Sequence, residues 1–297
     1  MKRHLISISC IALSLLALTA CVREGQKEQP SSAGLRFTAS VGGYATKATD
    51  TAFETGDKVG ISAGWEVQWN GETPENVPAT FNGETLVPDE GEFKWIDGLD
   101  ADKPVKFVAC YPYDPDQNPM HERYQFTVQA DQSTHENYTA SDLMFADVLA
   151  CPMDDAVHFA FYHKLSQLMV KVDNSLDSAV EEVYITDVSG TIWTSCYASS
   201  ISYVDDEHTG AIKACPVSLV GEDGVAEAAW VAIVPPQPVK SSIVVKTEDG
   251  KTYEYLMKTR IDFKTGRRHT ASLVLDKDCT DTDCELELGD WADTVEP

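Results

Sequence analysis

Basic side chains are scarce in this 297-residue chain: Lys and Arg number 23 against 48 Asp and Glu, a formal net charge of −25 at pH 7. A protein that binds a phosphate backbone needs a basic surface, so the balance argues against nucleic acid as a partner. It favours a surface that stays soluble by self-repulsion and gathers cations weakly. Beyond the leader there is no apolar run approaching the roughly 20 residues of a membrane-spanning helix. Sustained apolar spacing at the helical period is also missing, which excludes a helical scaffold. Catalytic signatures are absent too: there is no GxSxG, no HExxH, no phosphate-cradling glycine loop and no dinucleotide fingerprint. A carboxylate pair of the glycosidase kind is defined by separation in space and leaves no such trace. On these grounds the chain is read as a non-enzyme without a cofactor.

What is present begins with a leader. Lys2 and Arg3 precede an apolar run from Leu5 to Leu18, and Thr19 and Ala20 stand directly before Cys21. Residues 1–20 are therefore expected to be a signal peptide, their apolar stretch being too short to span a bilayer. Leu18-Thr19-Ala20-Cys21 resembles the lipobox of bacterial lipoproteins, in which the cysteine is acylated and becomes the new N-terminus. Acyl chains bury at ~0.8 kcal/mol per methylene, and several together make a durable anchor. Lipidation at Cys21 and a lipid-anchored place at the outer membrane are the expectation, with residues 21–34 as a polar, flexible tether.

Cys10 leaves with such a leader and Cys21 takes lipid, so Cys110, Cys151, Cys196, Cys215, Cys279 and Cys284 remain as candidate disulfide cysteines. In an oxidising compartment they can pair. Sequence order suggests Cys110 with Cys151, Cys196 with Cys215, and Cys279 with Cys284, while connectivity stays open. The absence of any CxxC pair disfavours zinc.

From Leu35 onward, short apolar or alternating runs are broken by Gly, Pro, Asn and Asp, the pattern of an all-β protein. Trp65, Val67 and Trp69 alternate with polar residues and run into Asn70-Gly71, a dipeptide suited to the positive φ angles of a tight hairpin. Asn82-Gly83 and Asp249-Gly250 repeat the signal. Further strands are expected at Val105–Cys110, Tyr124–Val128, Val183–Ile185, Trp230–Val234 and Leu273–Leu275. The roughly 260 residues after the tether exceed one compact sandwich, so two domains are expected. The polar stretch Asp173–Ser178 places their junction, giving an N-terminal β-sandwich over 35–174 and a C-terminal one over 175–297.

His158 and His163 are five apart, which on a straight strand puts them on opposite faces and disfavours a shared metal. Phe159, Phe161 and His163 share one parity and Leu168, Val170 and Val172 the other, so a bulge or bend is expected near Ser166 and Gln167. Asp114, Asp116 and Asn118 have the opening spacing of a calcium loop, but Pro119 and Gln125 occupy its glycine and glutamate positions. A solvated acidic turn explains them equally. Trp65, Trp69, Trp95 and Trp193 could stack on sugar rings if exposed, or fill a core. Asp50-Thr51-Ala52, Asp177-Ser178-Ala179 and Asn137-Tyr138-Thr139 match short glycosylation signals and are read as surface turns.

One ordered set of segments spans nearly the whole chain after the leader. It runs through Leu35–Val41, Phe53-Glu54-Thr55-Gly56-Asp57-Lys58-Val59-Gly60-Ile61, Asp142-Leu143-Met144-Phe145-Ala146, Phe161–Leu168 and Ile233-Val234-Pro235-Pro236-Gln237. With the lipobox, the set resembles the fimbrillin family of Gram-negative anaerobes. The resemblance implies two transthyretin-like β-sandwich domains, no enzymatic activity, and a structural or adhesive subunit of cell-surface fimbriae whose partners are other fimbrial subunits and a surface receptor. It also implies assembly by donor-strand exchange: a protease removes the first strand and a neighbour's strand takes its place, held by main-chain hydrogen bonds and pockets for alternate side chains. The family's cleavage site commonly reads Thr-Arg-Ala, whereas here the matching residues are Thr46-Lys47-Ala48. Lys47 and Ala48 are thus the candidate processing residues, and either a lysine-tolerant protease acts or the first strand is retained. Leu286, Leu288 and Trp291 form only a short alternating run before the acidic end, as expected of an anchor, tip or accessory subunit. The alternative function is a lipid-anchored carbohydrate-binding module.

The anchor is directly testable. Replacing Cys21 with Ser should move the protein from the membrane to the soluble fraction on cell fractionation; continued membrane retention contradicts lipidation at this residue.

Overall fold

The computed structural model describes residues 34–42, 52–116, 123–195, 200–203, 210–220, 226–277 and 283–291. Its short apolar runs fold as strands, because alternating side chains can bury one face while Gly, Asn and Asp turn the chain between them. The first part forms β1 (Phe37–Val41), β2 (Lys58–Ala63), β3 (Val67–Trp69), β4 (Val77–Phe81), β5 (Leu86–Pro88), β6 (Phe93–Trp95), β7 (Val105–Tyr111), β8 (Tyr124–Thr127), the short helix α1 (His135–Ala140), β9 (Met144–Ala150) and β10 (Val157–His163). The second part forms β11 (Ser166–Asn174), β12 (Val180–Val188), β13 (Thr191–Ser195), β14 (Ser200–Tyr203), β15 (Gly210–Lys213), β16 (Cys215–Val220) and β17 (Ala226–Val234). It continues through β18 (Pro238–Val239), β19 (Ser242–Thr247), β20 (Thr252–Met257), β21 (Ile261–Asp262), β22 (Arg267–Leu275), β23 (Asp283–Cys284) and β24 (Leu286–Asp290).

The expected N-terminal sandwich closes on itself. Its strands run in the order β1-β10-β9-β7-β2-β4-β5, and β1 meets β5 through the single pair Phe37↔Leu86 to complete a barrel. Phe37, Val59, Ile61, Phe107, Phe159 and Phe161 fill its interior. At Asn70-Gly71 both residues take positive φ, 53° and 89°, as a two-residue turn demands. The hairpin predicted there stops after one bridge between Trp69 and Glu72, because β3 takes β6 as its partner instead. The other two predicted hairpins join β4 to β5 and β19 to β20.

In the second unit, the sheets β16-β17-β11-β22-β24 and β15-β12-β19-β20-β23 enclose one apolar core. Val170, Trp230 and Ala271 enter it from the first sheet, and Ile185, Val245 and Tyr255 from the second. The junction expected at 174/175 lies at the far end of β11, and β11 is a central strand of this sandwich, between β17 and β22. The chain crosses between units at Lys164 and Leu165. The change of parity between Phe161 and Leu168, where a bulge or bend was expected near Ser166 and Gln167, is a bend at Leu165 that carries the chain from one sheet to another: each sheet sets its own inward face, so the register restarts.

The units share a wall. On β7, Val105, Phe107, Ala109 and Tyr111 face the barrel interior, while Val108 and Cys110 belong to the second core with Phe145 of β9. Such a strand, buried on both faces, reads as a nearly continuous apolar run. Gln132 reinforces the contact. Its side-chain amide donates to the Ile233 carbonyl at 3.0 Å and accepts from the Ile233 N–H at 2.7 Å, imitating a strand neighbour.

The sequence-order disulfides do not form. Cys110 is disulfide-bonded, whereas Cys151, Cys215 and Cys284 are thiols, and Cys196 and Cys279 lie outside the described residues. The reason for the first pair is register: Cys110 stands opposite Phe145 on β9, so Cys151 is six residues further along, about 20 Å at ~3.3 Å per residue. A disulfide needs Cα atoms within roughly 7 Å. The reading of Asn137-Tyr138-Thr139 as a surface turn is likewise corrected. These residues lie in α1, where Tyr138 is buried and Asn137 Nδ2 donates to the Asp131 carbonyl at 2.8 Å.

Thiol accessibility tests this arrangement. Cys284 is buried, which pushes its thiol up to about 11, and Cys215 is buried as well. Under native conditions a maleimide should modify Cys151 about tenfold or more faster than either, as mapped by peptide mass spectrometry. A mapped Cys110–Cys151 disulfide contradicts the register.

Candidate functional site

Leu35, Phe37, Ala39 and Val41 alternate with Arg36, Thr38 and Ser40, so an extended chain presents one apolar and one polar face. The fold uses both. Inward, Phe37 is fully buried, its ring 4.9 Å from that of Phe93, 5.9 Å from Phe159 and 6.2 Å from Phe107. Val41 is buried at the other end, and Leu35 and Ala39 pack against the same core.

The backbone of β1 is held unequally on its two sides. It runs parallel to β10 from Phe37↔Val157 to Val41↔Phe161, and the Gly42 N–H continues the ladder to the Phe161 carbonyl at 2.7 Å. At the start of the strand the Arg36 carbonyl accepts from the Val157 N–H at 2.9 Å. Toward β5 the ladder is limited to Phe37↔Leu86. Without β1 the barrel is a sheet with a slot between β10 and β5, lined by exposed main-chain groups and by Phe93, Phe107, Phe159 and Phe161.

On the outer face, His158 of β10 lies between two hydroxyls of β1. Thr38 Oγ1 is 2.9 Å from Nδ1 and Ser40 Oγ is 3.1 Å from Nε2. A neutral imidazole has one donor and one acceptor nitrogen, and a hydroxyl can serve either. Sequence reasoning compared His158 with His163 as a metal pair and missed this role, because it depends on which strand lies beside β10.

Where β1 ends, Val41, Ala52, Phe53, Asp57, Tyr111, Asp142 and His163 surround a cavity of about 40 Å³. Burial pushes the Asp57 carboxyl upward, against the lowering effect of its hydrogen bonds from the Glu54 N–H and, at 3.3 Å, the Tyr111 hydroxyl. His163 is packed and hydrogen-bonded: Nδ1 is 2.9 Å from Asp142 Oδ1, and its ring stacks on Trp291 at 3.9 Å with planes 6° apart. Trp291 thereby fastens the end of β24, which pairs with β22 from Ala271↔Leu286 to Arg267↔Asp290 in the second sandwich.

The other candidates disperse. Trp95 packs edge-on against Phe107 at 5.6 Å, and Trp69 packs on the barrel core with Nε1 donating to the Glu90 carbonyl at 2.7 Å. Trp65 is 63 % exposed beside Lys103, and Trp193, 38 % exposed, is on the sheet β14-β13-β8 beside Arg123. Two of the tryptophans thus pack on the barrel core, and the two exposed ones lie on different elements, Trp65 in the turn before β3 and Trp193 on β13. Asp114 Oδ1 accepts from the Asp116 N–H at 2.9 Å, an Asx turn, and Asn118 lies outside the described residues. Among the described residues no cluster of His, Cys, Asp and Glu is arranged to hold a metal ion. Cys21, Lys47 and Ala48 also lie outside the described residues, the last two in the stretch between Gly42 and Ala52 that follows β1.

Residues 46–291 match the fimbrillin-like family. No curated protein matches by sequence. Among solved structures, a Bacteroides ovatus protein named for cell adhesion superposes with a TM-score of 0.64 at 15 % identity, over 88 % of this chain and 99 % of that one. A Bacteroides uniformis protein, also named for cell adhesion, does so with a TM-score of 0.62 at 20 % identity, over 87 % and 98 %. At these identities the likeness is one of fold.

The slot's dependence on its aromatic anchor is measurable. Phe37→Ala should lower the unfolding free energy by about 3–5 kcal/mol in chemical denaturation, as for a fully buried Phe. A loss below about 1 kcal/mol contradicts a close-packed Phe37.

Proposed function

Since this chain belongs to the fimbrillin-like family, we propose that it is a subunit of cell-surface fimbriae whose barrel accepts a strand from a neighbouring subunit after β1 is removed. The family is one of structural and adhesive proteins, not enzymes. The reading is carried by the asymmetry of β1: a full parallel ladder on one side, one pair on the other, and an aromatic anchor in the core. A strand so placed can be replaced by another that offers the same main-chain groups and pocket residues, which is strand addition with register set by alternate side chains.

In this proposal the chain is exported with residues 1–20 as signal peptide and held at the outer membrane by lipid on Cys21. Cleavage after Lys47 then leaves Ala48 as the new N-terminus and severs β1 from the rest. The last strand, β24, is already paired within its own sandwich and fastened by Trp291 on His163, which favours an anchor, tip or accessory subunit over a repeating stalk unit.

The test is the N-terminus and the polymer together. Surface-extracted protein should begin at Ala48 and run within ladders that resist sodium dodecyl sulfate, and Lys47→Gln should abolish both. Ladders that persist in Lys47→Gln with β1 still attached would falsify processing as the trigger. A mature chain starting only at acylated Cys21, with no ladder, contradicts strand exchange itself.

A further inference from the structure

The polar face of β1 carries information that the proposal above does not use. The imidazole of His158 meets Thr38 and Ser40 through its two nitrogens at 2.9 and 3.1 Å, directly across the ladder from the strand that is replaced. Inward, the slot takes an aromatic ring at Phe37, a small side chain at Ala39 and a β-branched one at Val41. Resting on the strand-exchange reading, we infer that His158 selects the incoming strand by its hydroxyls. The strand that fits runs parallel to β10 with an aromatic, a hydroxyl, a small, a second hydroxyl and a β-branched residue in succession, and it comes from a protein other than this one.

The last part follows from the chain's own strands. Leu286-Glu287-Leu288-Gly289-Asp290 of β24, with Leu286 at the Phe37 position, puts Glu287 at the first hydroxyl position, Gly289 at the second and the Asp290 carboxylate in the buried place of Val41. Burying an unpaired carboxylate there is strongly unfavourable. Starting from Leu288 instead puts Gly289 and Trp291 at the two hydroxyl positions. Tyr138-Thr139-Ala140-Ser141 repeats the first four residue types, but it continues into Asp142 and its first three residues are wound into α1. A second copy offers no first strand either once it has been processed.

The experiment uses the full chain with a site-specific protease sequence placed between residues 43 and 51, nicked so that the resident strand stays bound as a separate peptide. Competitors are a labelled peptide of residues 35–42, the same peptide with Thr38→Val and Ser40→Ala, and a peptide of residues 284–291. The expected result is that the hydroxyl-free peptide binds about five- to tenfold more weakly than the 35–42 peptide, the size of one or two exposed hydrogen bonds. On a His158→Leu chain that difference should shrink to within about twofold. The peptide comparison on the unmodified chain stands even where His158→Leu fails to fold. Equal binding of the two peptides to the unmodified chain overturns hydroxyl selection and leaves strand exchange intact. Binding of residues 284–291 as tight as that of residues 35–42 overturns the foreign origin of the strand. Exchange by none of the three overturns strand acceptance, and this inference with it.

Discussion

Phe37 enters the barrel core between Phe93, Phe107 and Phe159, and its backbone forms the one pair that joins β1 to β5. That insertion makes a closed wall out of an open, curved sheet. Burying a phenylalanine contributes about 1.5–3 kcal/mol, and the parallel ladder to β10 adds satisfied main-chain groups that would otherwise face a half-dry slot. In the proposed strand exchange the same features would make the emptied slot specific, with unpaired main-chain groups along β10 and an aromatic pocket at a fixed register for an extended segment of the right alternation.

The wall beside the slot is not independent of the second unit. β10, the ladder partner of β1, leads through Lys164 and Leu165 into β11, a central strand of the sandwich. β7 gives one face to the barrel and two residues, Val108 and Cys110, to the other core. At the crossing, His163 sits between Asp142, which follows α1, and Trp291, which follows β24. The first and last strands of the described chain therefore converge on one half-buried histidine, Val41 lining the same small cavity that His163 does.

Electrostatics plays a different part. Hydrogen bonds from Lys213, Tyr184 and Lys246 hold the Glu182 carboxyl down to about 2, yet pairs of this kind at a surface add little to stability. The two apolar cores carry the fold, and the excess of acid keeps copies apart through net repulsion.

How much of this was legible in sequence depended on the range of the interaction. Asn82-Gly83 and Asp249-Gly250 mark real hairpins, and the alternation of Leu35 to Val41 identifies a strand with one buried face, because turn conformation and the two-residue period are local properties. The ordered segments from Phe53 to Gln237 pointed to the family for the same reason: each is a local motif with its own packing need. Partner choice is not local. Only the assembled sheets decided that β3 pairs with β6, that β11 belongs to the second sandwich, that Cys110 stands some 20 Å of strand from Cys151, and that His158 faces Thr38 and Ser40 across a ladder whose strands are 120 residues apart in sequence. The sequence by itself determined the all-β class, the acidic surface and the two faces of the first strand. The tertiary structure alone decided which strand lies beside it, since main-chain hydrogen bonding is blind to side-chain identity and its partners are set by how whole sheets close around a core.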